Sequence, residues 1–302
     1  MEKNAVTKRL KPLFKVLVSL GAIYFVSRNI DVSQVKTVVV SAKLPFLVLA
    51  FVFFNLSQVA SAYRLMLLIN LLKRGIDFGY HLKLYYLGMF YNLVLPGGIG
   101  GDAYKVYHFR KKFGLRSRYI LKALFLDRLS GLTALVTLVM IMMFALVMFG
   151  WANLPHYFSW SVVLIIPLYI VFFKATGRWF RQFVSVFSKM NFFAFAVQLL
   201  QVLSVVAILL SLSIPVQVTY VIIFLVSSIA MVLPITVGGL GLREIVFMFG
   251  ATYLSIQQEA AVAVGLVFFF ISSFASLPGL FFLSMKGNEE AALKTNKVGT
   301  RG

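Results

Sequence analysis

Long apolar runs, broken by short polar and mostly basic segments, set the pattern of this chain. Residues 129–173 carry no Asp, Glu, Lys or Arg, and neither do residues 190–242. A spanning helix needs roughly 20 apolar residues, so each run holds more than one pass. The runs are continuous rather than alternating, which predicts helices and not a barrel. Six membrane helices are predicted, at about Leu13–Val26, Leu44 to Arg64 or beyond, Arg118–Phe149, Trp160–Phe173, Asn191–Ser213 and Ala260–Met285. Pro45 suits the first turn of helix 2, and Pro167 is a candidate kink in helix 4.

Two Gly-rich stretches interrupt this pattern. The first is Leu95-Pro96-Gly97-Gly98-Ile99-Gly100-Gly101-Asp102-Ala103-Tyr104-Lys105. The second is Leu233-Pro234-Ile235-Thr236-Val237-Gly238-Gly239-Leu240-Gly241-Leu242-Arg243-Glu244. Their prolines, 96 and 234, lie 138 residues apart, and Lys105 and Arg243 fall at the same offset. Before the first break, the apolar segment Leu84–Leu95 would make a helix of about 18 Å, too short for a hydrocarbon core of roughly 30 Å. The chain then returns at once to Lys105, Arg110, Lys111 and Lys112. A re-entrant hairpin over about 80–112 satisfies both facts. Val218–Leu233 and the short return Ile245–Leu254 predict a second hairpin over about 216–255.

The same offset carries helix 1 onto helix 4, helix 2 onto helix 5 and helix 3 onto helix 6, each pair running in opposite directions. The expected fold is therefore an all-α polytopic membrane protein forming one transmembrane domain over 1–302. It comprises six transmembrane helices and two re-entrant hairpins in an inverted repeat. The first repeat covers 1–150, the inverted second 151–285, and a cytoplasmic tail 286–302. Inverted repeats with broken helices near the midplane are a transporter signature.

Composition agrees with a membrane chain. It is 61% hydrophobic and 13% charged, where soluble domains hold about a quarter charged residues. The net charge of +20 does not point to nucleic acid, because the cations cluster beside apolar spans, where they orient the chain and meet anionic lipid. Of the 29 Lys and Arg, only Arg28, Lys36 and Lys43 fall in segments assigned outside. Both termini are thus expected in the cytoplasm, and the membrane is expected to be the cell inner membrane. The basic-then-apolar start shows no cleavage site before Arg28 and reads as an uncleaved first helix. The absence of cysteine removes thiolate metal sites, disulfides and a cysteine nucleophile.

Candidate chemistry gathers at the breaks. Free N–H groups at the start of each return half-helix form an anion-binding concavity, and a phosphate is the natural guest. The glycines Gly97, Gly98, Gly100, Gly101, Gly238, Gly239 and Gly241 either shape that site or merely turn the chain. Asp102, Asp127 and Glu244 are carboxylates in or beside the membrane, accompanied by Arg128 and Arg243, with Lys105 and Arg64 nearby in sequence. Such charges usually face a cavity or a bundle interior. Asp102 reads either as a site residue or as an N-cap of a helix over 103–113. A phosphate would not welcome it unless Arg128 or Arg243 answers its charge. Asp127 and Arg128 are adjacent and point to different faces, so each needs its own partner. Asn92 and Thr236 are placed to bond loop carbonyls, and Tyr85, Tyr86, Tyr91 and Tyr104 to anchor at the interface. His81, His108 and His156 lie apart without metal spacing. No catalytic motif and no cofactor or metal motif is present.

These residues resemble the lysylphosphatidylglycerol synthetase transmembrane-region, or flippase-like, integral membrane proteins. The matching parts are Tyr63-Arg64, Asn92 through the first Gly-rich stretch to Lys105, Asp127-Arg128 with Gly131, and the second stretch to Glu244. The family often shows Arg-Trp where this chain has Arg64-Leu65. The resemblance implies a membrane lipid function. The namesakes carry a soluble aminoacyl-transferase domain as well. This chain ends at residue 302 with a short polar tail, so lipid aminoacylation is not expected of it.

The expected function is a flippase-like transporter for an anionic phospholipid or a polyprenyl-phosphate-linked lipid, with Arg243, Arg128 and Lys105 at the headgroup. The alternatives are a membrane-embedded transferase on a polyprenyl phosphate, with Asp102 or Glu244 as base, and an accessory subunit of an envelope-glycan complex. A homodimer is open, since no dimer face is readable. The Gly-rich stretches are expected to lie close together within the membrane.

Overall fold

The computed structural model describes residues 17, 20–94, 100–150, 155–232, 236 and 241–282. Gly97, Gly98, Gly238 and Gly239, both break prolines, the first residues and the tail 286–302 lie outside these. The described residues form helices and connecting turns, with no strand among them. Helix α1 covers 20–29, and α2 covers Val32–Val40. Next come α3 (Leu44–Asn70), α4 (Phe78–Val94), α5 (Gly100–Phe113) and α6 (Ser117–Met148). A 3-10 segment, His156–Leu164, runs into α7 (Ile165–Trp179), and another, Arg181–Val186, runs into α8 (Phe187–Ser211). The chain continues through α9 (Val218–Ala230), α10 (Leu242–Tyr253) and α11 (Gln258–Ser276).

Among the described residues, five helices are long and apolar enough to cross a membrane: Leu44–Asn70, Ser117–Met148, His156–Trp179, Arg181–Ser211 and Gln258–Phe282. Large apolar side chains stand exposed all around them, among them Trp160, Phe192, Phe274 and Phe281. A soluble chain rarely shows so much contiguous apolar surface, whereas lipid accepts it. Of the sixth predicted span, helix 1, the first part lies outside the described residues apart from residue 17, and the rest is helical as α1, which runs on to residue 29.

Helices α3 and α8 form the central pair. Ser204 Oγ donates to the Ala50 carbonyl at 2.9 Å. Ser211 Oγ donates to the Lys43 carbonyl at 3.1 Å, and the Lys43 N–H returns a bond to the Ser211 carbonyl at 2.9 Å. Residue numbers rise on one helix as they fall on the other, so the pair is antiparallel. Ala50, Ser57, Ser61 and Ala62 are buried on α3, and Ala194, Ser204 and Ala207 on α8. In lipid there is little hydrophobic drive between helices, so small residues that allow close approach, together with interhelical hydrogen bonds of about 0.6 kcal/mol each, hold such a pair.

Two helical hairpins flank it. In the first, α4 packs on α5, and the crossing sits at Gly88 and Gly101. A Cβ on Gly101 would run into the Gly88 backbone, and a Cβ on Gly88 would sit 2.9 Å from Lys105 Cε. In the second, α9 packs on α10, with Gly250 against Ile223. Here α9 is buried from Thr219 through Leu225, inside a core shared with α8, α10 and α11. Helix α6 touches α8 and α9, while α11 touches α3 and α4.

Three boundaries differ from expectation. Helix α4 starts at Phe78 rather than Leu84 and has 17 residues, about 26 Å, at the lower limit of a span. Its early turns hold because His81 is buried, with its ring 5.4 Å from Phe109. The polar segment before Leu44 contains α2, capped by Asp31, whose carboxylate accepts from the Ser33 and Gln34 N–H groups. The irregularity expected at Pro167 comes earlier, where the 3-10 segment gives way to α7 at Ile165, which places Pro167 in a first turn that tolerates it.

Candidate functional site

A cavity of about 410 Å³ opens between the central pair and the two hairpins. It is lined by Phe54 and Gln58 of α3, Tyr85, Met89 and Asn92 of α4, and Arg128 and Leu135 of α6. Gln198 and Gln201 of α8, Ser228 of α9, Thr236 and Arg243 face them. Phe268, Phe269, Ser272, Ser273 and Ser276 of α11 complete the wall. The end of α4, Thr236 and the start of α10 therefore meet in one place. Thr236 and Arg243 of the second Gly-rich stretch line the cavity, but no described residue of the first does; the expected meeting of the two stretches falls largely on residues outside those described.

The charges sort into two classes. Arg64 Nε donates to Asp127 Oδ1 at 2.7 Å, with both side chains nearly closed to solvent. Gly131, one turn beyond Asp127, leaves room for the guanidinium: a Cβ there would lie 3.4 Å from Arg64 Nη1. This pair ties α3 to α6 and does not line the cavity. Arg128, next in sequence but on another face, donates to Asp102 Oδ2 at 2.6 Å. Lys105 Nζ lies 3.6 Å from Asp102 Oδ1 and 4.3 Å from the centre of the Tyr85 ring. Asp127 and Arg128 thus find separate partners, and the charge of Asp102 is answered by two cations.

Arg243 is held differently. Its guanidinium carbon lies 4.5 Å from the Phe268 ring centre and 5.5 Å from that of Phe224. Among the described residues it forms no ion pair, and its Nη1 is shut from solvent without a hydrogen-bond partner. Glu244 does not neutralise it through a direct bond; Glu244 Oε2 accepts from the Gly241 N–H at 2.7 Å. That bond closes the first turn of α10, where Gly241 has a φ of +86°, a conformation that glycine adopts without penalty. A cation over aromatic faces in a desolvated place gains about 2 kcal/mol, far less than a paired carboxylate supplies, so an anion entering the cavity meets an unspent charge.

The break in the first hairpin is also partly filled by protein. Asn92 Oδ1 accepts from the Gly101 N–H at 2.8 Å, where a bond from Asn92 to loop carbonyls was expected. Gly100 stands beside it at the start of α5. Asp102 lies in the first turn of α5, where a negative charge suits the helix dipole. The tyrosines make internal contacts. Tyr86 Oη donates to Asn55 Oδ1 at 2.8 Å, and the Tyr91 and Tyr104 rings are 4.5 Å apart. His81 and His108, expected apart, join one aromatic cluster through Tyr80 and Phe109. No group of His, Cys, Asp and Glu among the described residues could hold a metal.

The residues that sequence reasoning missed are the neutral polar ones: Gln58, Gln198, Gln201, Ser228, Ser272, Ser273 and Ser276. A signal for two of them is present. Gln198 and Gln201 sit within a run free of charge, three residues apart and so on one helix face.

No curated protein matches this chain. The sequence profile of the lysylphosphatidylglycerol synthase TM region matches residues 13–279. The chain belongs to that family.

Proposed function

We propose that this protein is a lipid flippase of the cell inner membrane that holds the phosphate of a lipid headgroup at Arg243 and passes it between leaflets. The observation that carries the reading is the buried, unpartnered Nη1 of Arg243 on the wall of a polar cavity inside a membrane protein. A guanidinium offers five donors and suits phosphate oxygens. Membership of a lipid-synthase transmembrane family points the same way.

An inverted repeat of six spans and two re-entrant hairpins supports the transport step. The packing pattern repeats: α4 on α5 corresponds to α9 on α10, α6 on α9 to α11 on α4, and α5 on α6 to α10 on α11. Lys73 and Arg74 precede α4, and α5 ends in Arg110, Lys111 and Lys112, so both ends of the first hairpin lie on the basic side. By the positive-inside rule that side, with both termini, is cytoplasmic. Rocking of one repeat against the other would expose the cavity to each leaflet in turn. A phosphate is the shared chemistry of the two expected guests, an anionic phospholipid and a polyprenyl-phosphate-linked lipid.

The transferase alternative finds little support at the cavity. Asp102 is held by Arg128 and Lys105, Glu244 by the Gly241 N–H, and neither lines the wall.

The test is reconstitution in liposomes with a fluorescent polyprenyl phosphate. The folded wild type is expected to move the lipid, and Arg243→Gln to lose most of that rate. Folded wild type that moves none, or Arg243→Gln at the wild-type rate, overturns the reading.

A further inference from the structure

The cavity holds more polar groups than a phosphate can use. Gln198 is 6% exposed, and its Oε1 has no hydrogen-bond partner among the described residues. Ser273 Oγ is in the same state. Gln58, also 6% exposed, spends its amide N–H on Ser57 Oγ at 2.9 Å. Burying an amide or a hydroxyl without a partner is unfavourable, because the hydrogen bond to water is lost and not replaced. Two such atoms on one wall, Gln198 Oε1 and Ser273 Oγ, therefore point to an absent guest that pairs with them.

The guest's chemistry follows from the donors and acceptors. A phosphodiester carries only acceptors, so it pairs with Arg243 and leaves an amide oxygen such as Gln198 Oε1 unmatched. That oxygen needs a donor. An ammonium group would supply one, but it would enter a cavity lined by Arg128 and Arg243 and by no carboxylate. Arg128 is paired with Asp102, but Arg243 has no ion-pair partner among the described residues and repels it. A hydroxyl supplies the donor without charge. Amides and serines that both donate and accept suit a group with several hydroxyls.

We infer that the headgroup carried at Arg243 is a neutral sugar joined through its phosphate, with Gln198, Gln201 and Ser273 reading its hydroxyls. This rests on the phosphate-holding role proposed for Arg243 and narrows it to one substrate class, a glycosyl phosphate. An aminoacylated headgroup is disfavoured by the same wall.

The experiment measures dissociation constants with the purified full-length protein in detergent. The probes are a polyprenyl phosphate, the same lipid bearing one hexose on its phosphate, a lysyl-phosphatidylglycerol and a soluble hexose-1-phosphate. The hexosyl lipid is expected to bind at least about tenfold more tightly than the bare phosphate, a factor that one or two neutral hydrogen bonds supply. Gln198→Leu or Ser273→Ala is expected to shrink that ratio about threefold to tenfold, and the wild-type ratio stands as a test even if a variant fails to fold. Equal binding of the two lipids, or tightest binding of the lysyl lipid, overturns the sugar inference and leaves the phosphate role at Arg243 standing. Soluble hexose-1-phosphate binding as tightly as the hexosyl lipid supports the sugar-phosphate site while overturning the lipid reading. Binding of none of the four overturns both.

Discussion

In the first half of the molecule the charges beside the Gly-rich break answer one another; in the second half the cation at the break lies on two aromatic rings. Asp102 faces Arg128 and Lys105, and on another face of α6 Asp127 faces Arg64. Arg243, at the start of α10, has Phe224 and Phe268 instead. The two hairpins share a pattern of Pro, Gly and charge, yet they occupy different surroundings. The first has α5, with a basic last turn, and the second has α9, buried over most of its length. A matched motif therefore does not imply a matched role. The first half uses charge to hold helices together, and the second holds a cation with no ion-pair partner among the described residues, the charge proposed above to meet a phosphate.

The strongest break of this comparison is Asp127→Leu. Removing one member of a buried ion pair costs about 3–5 kcal/mol, because Arg64 keeps its charge in a closed place. The expected result is a large drop in melting temperature, and the double change Arg64→Met with Asp127→Leu is expected to recover much of it. A single variant that melts like wild type would show that the pair is not structural.

The glycines of the two hairpins give the next test. A Cβ on Gly101 meets the backbone of Gly88, whereas a Cβ on Gly250 meets the side chain of Ile223. Overpacking costs about 1–3 kcal/mol. Gly101→Ala is expected at or above the upper end, and Gly250→Ala near the lower. Thermal melts of the two variants in one detergent compare them, and the reverse order would contradict the crossing at Gly88 and Gly101.

Arg243→Gln is expected to shift the melt much less than Asp127→Leu does, since it gives up the contact with Phe268 and Phe224, about 2 kcal/mol, but also removes a buried charge that has no carboxylate to leave behind. Binding of a lipid phosphate is expected to weaken about tenfold to a hundredfold, the worth of a charge-assisted hydrogen bond at about 1.5–3 kcal/mol. A melt shifted as far as that of Asp127→Leu would move Arg243 into the structural class. The smallest effect is expected from Asp102→Asn. The side chain of Arg128 is 41% exposed, so the stability change stays under about 1 kcal/mol. Releasing Arg128 toward the cavity is expected to tighten phosphate binding slightly, and weaker binding would show that Asp102 serves the guest directly.

Much of the fold was legible because helix boundaries here have local causes. Lys43 before Leu44, with Pro45 in the first turn, marks the start of α3, and the apolar run after Arg116 marks α6. Adjacent Asp127 and Arg128 on a helix had to seek different partners, and they do. Which partners they find depends on tertiary packing, as does the Gly101 N–H bound by Asn92. Helix α4 was misjudged at its start because His81 and Lys83 look like solvent residues, while the fold buries one beside Phe109 and leaves the other near the Phe282 ring. The neutral wall of the cavity was illegible because Gln58, Gln198 and Ser273 come from three helices and form no motif along the chain.

The bonds between α3 and α8 lie toward one end of the pair. Lys43 with Ser211 and Ala50 with Ser204 are stitched together, while toward Asn70 and Phe187 the described residues of the two helices meet only by side-chain packing, as in the Tyr63 and Phe193 rings 4.6 Å apart. Sliding one helix along the other must break every stitch, but spreading the unstitched ends breaks none. The pair has the mechanics of tongs: a fixed joint at one face, and jaws at the other.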